Sequence, residues 1–196
     1  MILTGPAIRA HLAAGTIRIH PLTDEPGDSQ IDQAGVTLHL HPRLLVMWPN
    51  GDLDVRQPCA DSFQPVQLDD TGAFTLYPGF FYLGATLEKI HAPHHVVRVD
   101  GKSSLGRKSL EVHRTAGHVE PGFAGHVTLE MAVLTPLRIP PGWPVCQAVF
   151  HEVRGPVESY ADRGHYADAS AADGPQVSRS HLHRARHVGL PDPSRR

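Results

Sequence analysis

The stretch "VVRVDGKSSLGR", Val96 to Arg107, joins an alternating apolar run to a polar turn. Its last seven residues carry two glycines, two serines and two cations. Such a turn after a strand raises the question of a phosphate cradle on an α/β sheet, and the spacing answers it. A Walker A loop needs a glycine five residues before Gly101, where Val96 stands. A nucleophile elbow needs its second glycine where Leu105 stands. No βαβ unit surrounds the turn, so the dinucleotide fingerprint is excluded as well. The turn belongs to a β architecture.

The flanking sequence supports that reading. Strand-like runs recur at short intervals: "TIRIHPL", "VTLHLHP", "RLLVMW", "DLDVRQ", "FTLYPGFFYLGATLEKI", "HHVVRVDG", "SLEVHRTAG", "GHVTLEMAVL", "LRIP" and "VCQAVFHEV". Eighteen glycines and eighteen prolines punctuate them, several as Pro-Asn-Gly, Pro-Gly or Asp-Gly turns. One helix is signalled at the start. Thr4 is placed to cap it, Pro6 sits in its first turn, Ile8 and Leu12 share a face, and Gly15 closes it. Residues 23–34 read as a loop. The expectation is an all-β barrel or jelly-roll-like domain with a short N-terminal helix, spanning 1–175. From Gly155 the pattern dissolves, and 176–196 read as a flexible tail rich in His and Arg.

A chain of 196 residues holds one well-buried domain. With 19% charged residues and a formal net charge of −2, nothing suggests a nucleic-acid coat or a membrane surface. Fifteen histidines can turn the balance positive below about pH 6.5. Cys59 and Cys146 form neither a disulfide nor a metal pattern, which fits a reducing compartment. The N-terminus lacks the basic region and apolar core of a signal peptide, and no apolar window is long enough for a span. The expectation is a cytoplasmic protein without DNA, RNA or membrane partners. His118-Val119-Glu120 matches the His-x-Glu fragment of zinc deaminases, but no Pro-Cys-x-x-Cys supplies the other ligands. The pairs His39/His41 and His94/His95 read more simply as surface histidines than as metal ligands.

The longer run from Tyr77 to Phe150 resembles the dCTP deaminase family, within the dUTPase-like superfamily. The resemblance rests on ordered elements: Pro-Gly-x-Phe-x-Leu-Gly-x-Thr-Leu-Glu, Gly-Lys-Ser-Ser-Leu-Gly-Arg, Thr-Ala-Gly, Pro-Gly-Phe and Gly-His-Val-Thr-Leu-Glu. The N-terminal segment to Pro21 and "GPQVSR" near the C-terminus are also similar to the family. The resemblance implies a distorted dUTPase-like β barrel, a homotrimer and active sites at subunit interfaces. It implies a hydrolase acting on the C–N bond of a cyclic amidine without zinc, with Mg²⁺ bound to the nucleotide's phosphates.

Glu130 illustrates how residues and resemblance combine. Val127, Leu129, Met131 and Val133 alternate onto one apolar face, which sends Glu130 to the other with His126 and Thr128. A lone strand glutamate is usually solvated, but this one matches the family's catalytic Glu, which takes a proton from the water that attacks C4 of cytosine. By the same resemblance Ser103 and the carbonyl of Ala116 hold that water, and Arg107 steadies the glutamate. Lys102, Ser104 and Gln147 match positions near the phosphates, and His113 matches a site histidine. Phe123 matches a ring packed on the sugar, leaving little room for a 2′-hydroxyl.

Three departures bear on substrate and product. The family's Asp before Pro-Gly-Phe, which meets the sugar 3′-hydroxyl, is Glu120 here, one methylene longer. A charged pair in an early strand is replaced by Thr37 and His39. The lid motif survives as "GHYADA", with Tyr166 retained. The default expectation is dCTP plus water giving dUTP plus ammonia. The alternatives are a bifunctional enzyme that continues to dUMP, a deaminase of a mono-, diphosphate or sugar-modified cytosine nucleotide, and a nucleotide-binding paralogue without turnover.

Overall fold

Period-two alternation buries one side of each short run, and in this computed structural model the runs pair into two main sheets. The structure describes residues 1–55, 57–163 and 174–175. In chain order the elements are α1 (Gly5–Ala13), β1 (Arg18–His20), β2 (Asp24–Glu25), β3 (Asp28–Ser29), β4 (Val36–His39) and β5 (Leu45–Met47). A 3₁₀ turn, Ala60–Ser62, precedes β6 (Phe63–Pro65), β7 (Phe74–Leu76), β8 (Tyr82–His91) and β9 (His95–Gly101). Then come α2 (Ser103–Gly106), β10 (Leu110–Glu111), β11 (His118–Val119), β12 (Ala124–Val133), β13 (Leu137–Ile139), β14 (Pro144–Glu152) and α3 (Tyr160–Arg163).

The first sheet runs β10-β12-β8-β5-β6, with β1 also paired to β8. The second runs β11-β9-β14-β4. Between them lies an apolar core in which Leu38, Leu40, Phe74, Leu129, Met131 and Phe150 are fully buried. Packing is tight within the first sheet at Gly84, where a Cβ would stand 2.7 Å from Sδ of Met131 on the paired strand β12, so only glycine fits without a shift. Burial pushes the Cys146 thiol up, which keeps it protonated and apolar in character. The expected all-β class with one short N-terminal helix is what the chain forms.

One irregularity shapes the first sheet. His126 pairs with Lys89 and Thr128 with Ala85, so Thr86, Leu87 and Glu88 bulge opposite Val127. Polar groups fill the broken ladder. The Val127 amide donates to Thr86 Oγ1 at 2.9 Å, and His126 Nδ1 bonds the Thr86 carbonyl at 2.8 Å. The bulge turns Glu88 inward, where it is 1% exposed. There His39 meets it twice, through the backbone N–H at 2.9 Å and Nδ1 at 2.6 Å, and Gln30 Nε2 donates at 2.8 Å. His39 thus serves as polar partner to a buried carboxylate.

Several expectations need correction. Thr4 sits at the N-cap of α1 but makes no side-chain cap bond. Asp52–Val55, from the run "DLDVRQ", forms no strand. Of "SLEVHRTAG" only Leu110–Glu111 pairs, because the chain then leaves the sheet to build a loop. The turn "GKSSLGR" contains one short helical turn, α2. All of "GHYADA", Tyr166 included, and 176–196 lie outside the described residues. Among the described residues no helix is long and apolar enough to cross a membrane.

Candidate active site

A cleft of about 400 Å³ opens beside β12. Its floor is the non-apolar side of that strand, where His126, Thr128 and Glu130 come together as alternation requires. One wall is built from the loops before and after β11, which bring His113, Ala116, His118, Glu120 and Phe123 to the cleft. The opposite wall is apolar: Met47, Cys59, Phe63 and Phe81. Tyr160, the first residue of α3, closes one end.

Glu130 is held rather than loose. The Thr115 hydroxyl donates to Glu130 Oε2 at 2.8 Å, and the Thr115 amide donates to the same oxygen at 3.2 Å. The Glu130 carbonyl accepts from the Arg114 amide at 3.2 Å, tying the loop to the strand. Below lies His113, its side chain 7% exposed, with Nδ1 4.0 Å from Glu130 Oε2. Burial pushes the His113 pKa down, and the Glu130 carboxylate and a hydrogen bond with the Thr128 backbone pull it back only in part. Its Nδ1 has no hydrogen-bond partner among the described residues. A fixed carboxylate over a neutral imidazole in a half-apolar cleft is an arrangement suited to moving protons to and from a bound base.

The far wall has its own clasp. Pro121-Gly122-Phe123 forms a turn in which Gly122 has φ +87°. The Tyr160 amide donates to the Pro121 carbonyl at 2.8 Å, and the Tyr160 ring meets Phe123 edge-on with centroids 5.9 Å apart. Glu120, about half exposed, lies 3.5 Å from His118 Nε2.

Other sequence-predicted residues lie elsewhere. Ser103, Ser104 and Arg107 are exposed on or beside α2 and do not line the cleft. Lys102 donates through Nζ to Thr37 Oγ1 at 2.7 Å, and Thr37 in turn donates to Asp32 at 3.0 Å. Gln147 stands between Thr37 and Asp100 across three adjacent strands. Glu130, Ala116, His113, Glu120 and Phe123 therefore share one cleft, while Lys102, Ser103, Ser104, Arg107 and Gln147 lie outside it. Thr115 and Tyr160 were missed by sequence reasoning. Thr115 stands inside the recognised Thr-Ala-Gly element, which was the available signal. Tyr160 follows the point where alternation ends, and no pattern marked it.

Comparison with known proteins identifies the family. The family model described as dCTP deaminase-like matches residues 2–153. A Kocuria rhizophila protein named "dCTP deaminase, dUMP-forming" is 36% identical over 192 residues, covering 96% of this chain and 99% of that protein. A Halobacterium salinarum protein of the same name is 38% identical over 193 residues, covering 91% and 94%. A Haloarcula marismortui protein named "dCTP deaminase" is 34% identical over 194 residues, with the same two coverages of 91% and 94%. The chain belongs to the dCTP deaminase-like family. Its fold is also similar to the crystal structure of 2′-deoxycytidine 5′-triphosphate deaminase from Agrobacterium tumefaciens, with a TM-score of 0.59 at 20% identity. That match covers 86% of this chain and 53% of the longer Agrobacterium chain.

Proposed function

We propose that the protein is a cytoplasmic hydrolase that deaminates dCTP, with Glu130 as the group that moves the protons. The observation that carries the reading is the Glu130 carboxylate fixed by Thr115 in a cleft of nucleoside size. Glu130 takes a proton from a water, and the resulting hydroxide adds to C4 of cytosine. Glu130 passes that proton to N3, then carries the proton of the new C4 hydroxyl to the amino group, so that the C4–amino bond breaks, ammonia leaves and the C4 carbonyl of uracil forms. The sum is dCTP plus water to dUTP plus ammonia. Thr115 occupies Oε2, which favours the other carboxylate oxygen as the working base. Ala116 lines the same cleft, and in this reading its carbonyl holds the attacking water.

The polar set of Lys102, Ser103, Ser104, Arg107 and Gln147 is assigned, in this reading, to the cleft of a neighbouring subunit in a homotrimer. What supports it is the division itself: Glu130 and Ala116 line the cleft, while Ser103 and Arg107, expected to hold the water and steady the glutamate, and Lys102, Ser104 and Gln147, expected near the phosphates, lie outside it. Lysine, arginine and hydroxyl groups suit a triphosphate, whose charge they offset through charge-assisted hydrogen bonds. Among the described residues no group of three or more His, Cys, Asp or Glu side chains is arranged to hold a metal ion. Mg²⁺ enters the proposal on the nucleotide, as the family resemblance implies, where it neutralises phosphate charge.

A second reading adds release of pyrophosphate, giving dUMP. The names of the Kocuria and Halobacterium relatives favour it, and so does the Thr115-Ala116-Gly117 segment. Glu120, longer by a methylene than the Asp of the family pattern, is the residue on which that step turns. The test is one substrate panel with Mg²⁺, namely dCTP, dCMP, CTP, CMP and dUTP, scored for ammonia and for pyrophosphate. Ammonia from dCTP is the expected outcome, and pyrophosphate in equal amount selects the dUMP-forming reading. Tight dCTP binding without ammonia would replace both readings with a nucleotide-binding protein that does not turn over.

A further inference from the structure

We infer that Tyr160 is a positioning residue that sets the sugar specificity of the cleft by holding the Phe123 ring in place. The inference rests on the proposed deamination and names a part of that site which the motifs do not contain. Phe123 alone is a ring on a glycine-containing turn, free to rotate away from a bulkier sugar. Two contacts beside the cleft remove that freedom. The Tyr160 ring meets Phe123 edge-on at 5.9 Å, the Tyr160 amide bonds the Pro121 carbonyl at 2.8 Å, and both rings line the cleft that holds Glu130. Ser159 starts the short helix that carries Tyr160, its Oγ accepting from the Ala161 amide at 3.2 Å and its carbonyl from the Asp162 amide at 3.1 Å.

Gly122 is the seat of this clasp. With φ +87° it adopts a conformation other residues avoid, and a Cβ there would meet Ser159 Oγ and stand 2.9 Å from the Tyr160 nitrogen. The absent side chain is the space into which the segment docks. Glu120 and Phe123 flank that turn, so whatever loosens the clasp loosens the two groups placed to meet the sugar edge. Selection against a 2′-hydroxyl then depends on a wall that cannot retreat, and Tyr160 supplies the resistance.

The test measures kcat and KM for dCTP and CTP in wild type, Tyr160→Ala and Tyr160→Phe. Loss of an edge-to-face aromatic pair should lower the dCTP/CTP discrimination of Tyr160→Ala by about 2- to 10-fold, through the relative KM values. Tyr160→Phe keeps the ring and should restore the discrimination. Unchanged discrimination in Tyr160→Ala, or an equal fall in kcat for both nucleotides, overturns the inference. Should wild type release ammonia from neither nucleotide, the proposed reaction fails, and equilibrium binding of dCTP and CTP decides the clasp separately. A deoxy preference lost in Tyr160→Ala upholds it, and an unaltered preference sinks it. Where Tyr160→Ala does not fold, Gly122→Ala breaks the same clasp and is read the same way, with faster hydrogen exchange at the Tyr160 amide reporting its release.

Discussion

Glu130 reaches the cleft because a strand has only two faces and its neighbours claim one of them. Leu129 and Met131 are fully buried, so the intervening glutamate points to the other side, where Thr115 receives it. The resulting division of labour is testable. Glu130→Gln removes the base while keeping size and hydrogen bonding, so ammonia release should fall by about 10²- to 10⁴-fold with dCTP binding retained in calorimetry. Thr115→Val leaves the carboxylate but takes away the hydroxyl that orients it. A drop of roughly tenfold in kcat, with KM little altered, is expected from steady-state rates. Equal rates for Thr115→Val and wild type would remove Thr115 from the site. Glu130 was legible from alternation and motif together. Thr115 was not, because a hydroxyl on a loop belongs to no period and its partner is fifteen residues away in the sequence.

Among the elements, β8 departs most from what its residues advertise. Its alternation reads as one continuous strand, yet Thr86, Leu87 and Glu88 stand opposite the single residue Val127. Nothing local foretells this, since the compensating bonds come from His126 and Val127 on another strand. The strands themselves were legible wherever alternation met a buried partner, as in β9, β12 and β14. Where apolar residues found no sheet to join, as in Asp52–Val55, the pattern misled. The inward turn of Glu88 makes His39 a structural requirement, because a buried carboxylate without its partner is costly. His39→Leu should destabilise the fold by about 3 kcal/mol in urea unfolding with an unchanged m-value. Thr37→Val, which loses an exposed bond to Asp32 and the bond from Lys102, should cost about 1 kcal/mol or less. Similar small losses for both would show that Glu88 does not depend on the His39 imidazole, its bonds from Gln30 and the His39 amide sufficing.

At the scale of the whole molecule, protons and subunits both enter. The pKa values of His91, His95 and His113 are all pushed down, with burial the largest cause in each. Arg18 and then His94 add to burial at His91; at His95, His11 and His94 add to it while Glu152 opposes. A group whose folded pKa is depressed binds fewer protons folded than unfolded, so its contribution is complete above the unfolded value near 6.5 and is lost as pH falls. Tm should hold between pH 7 and 8 and decline from about pH 6.5 towards 5. His95→Phe should flatten that decline, and an equally steep curve in the variant would clear His95 of the effect. The division of the candidate site between two faces makes a sharper demand. Glu130→Gln and Arg107→Ala damage different halves, and each should be inactive alone. Co-expressed in equal amounts, they would mix at random in the proposed closed trimer. A site at an interface takes an intact Glu130 from one chain half the time and an intact Arg107 from its neighbour half the time, restoring about a quarter of wild-type activity. A site built within one chain would recover nothing, since no chain in the mixture carries both residues, and ammonia release from the purified mixture separates the two cases.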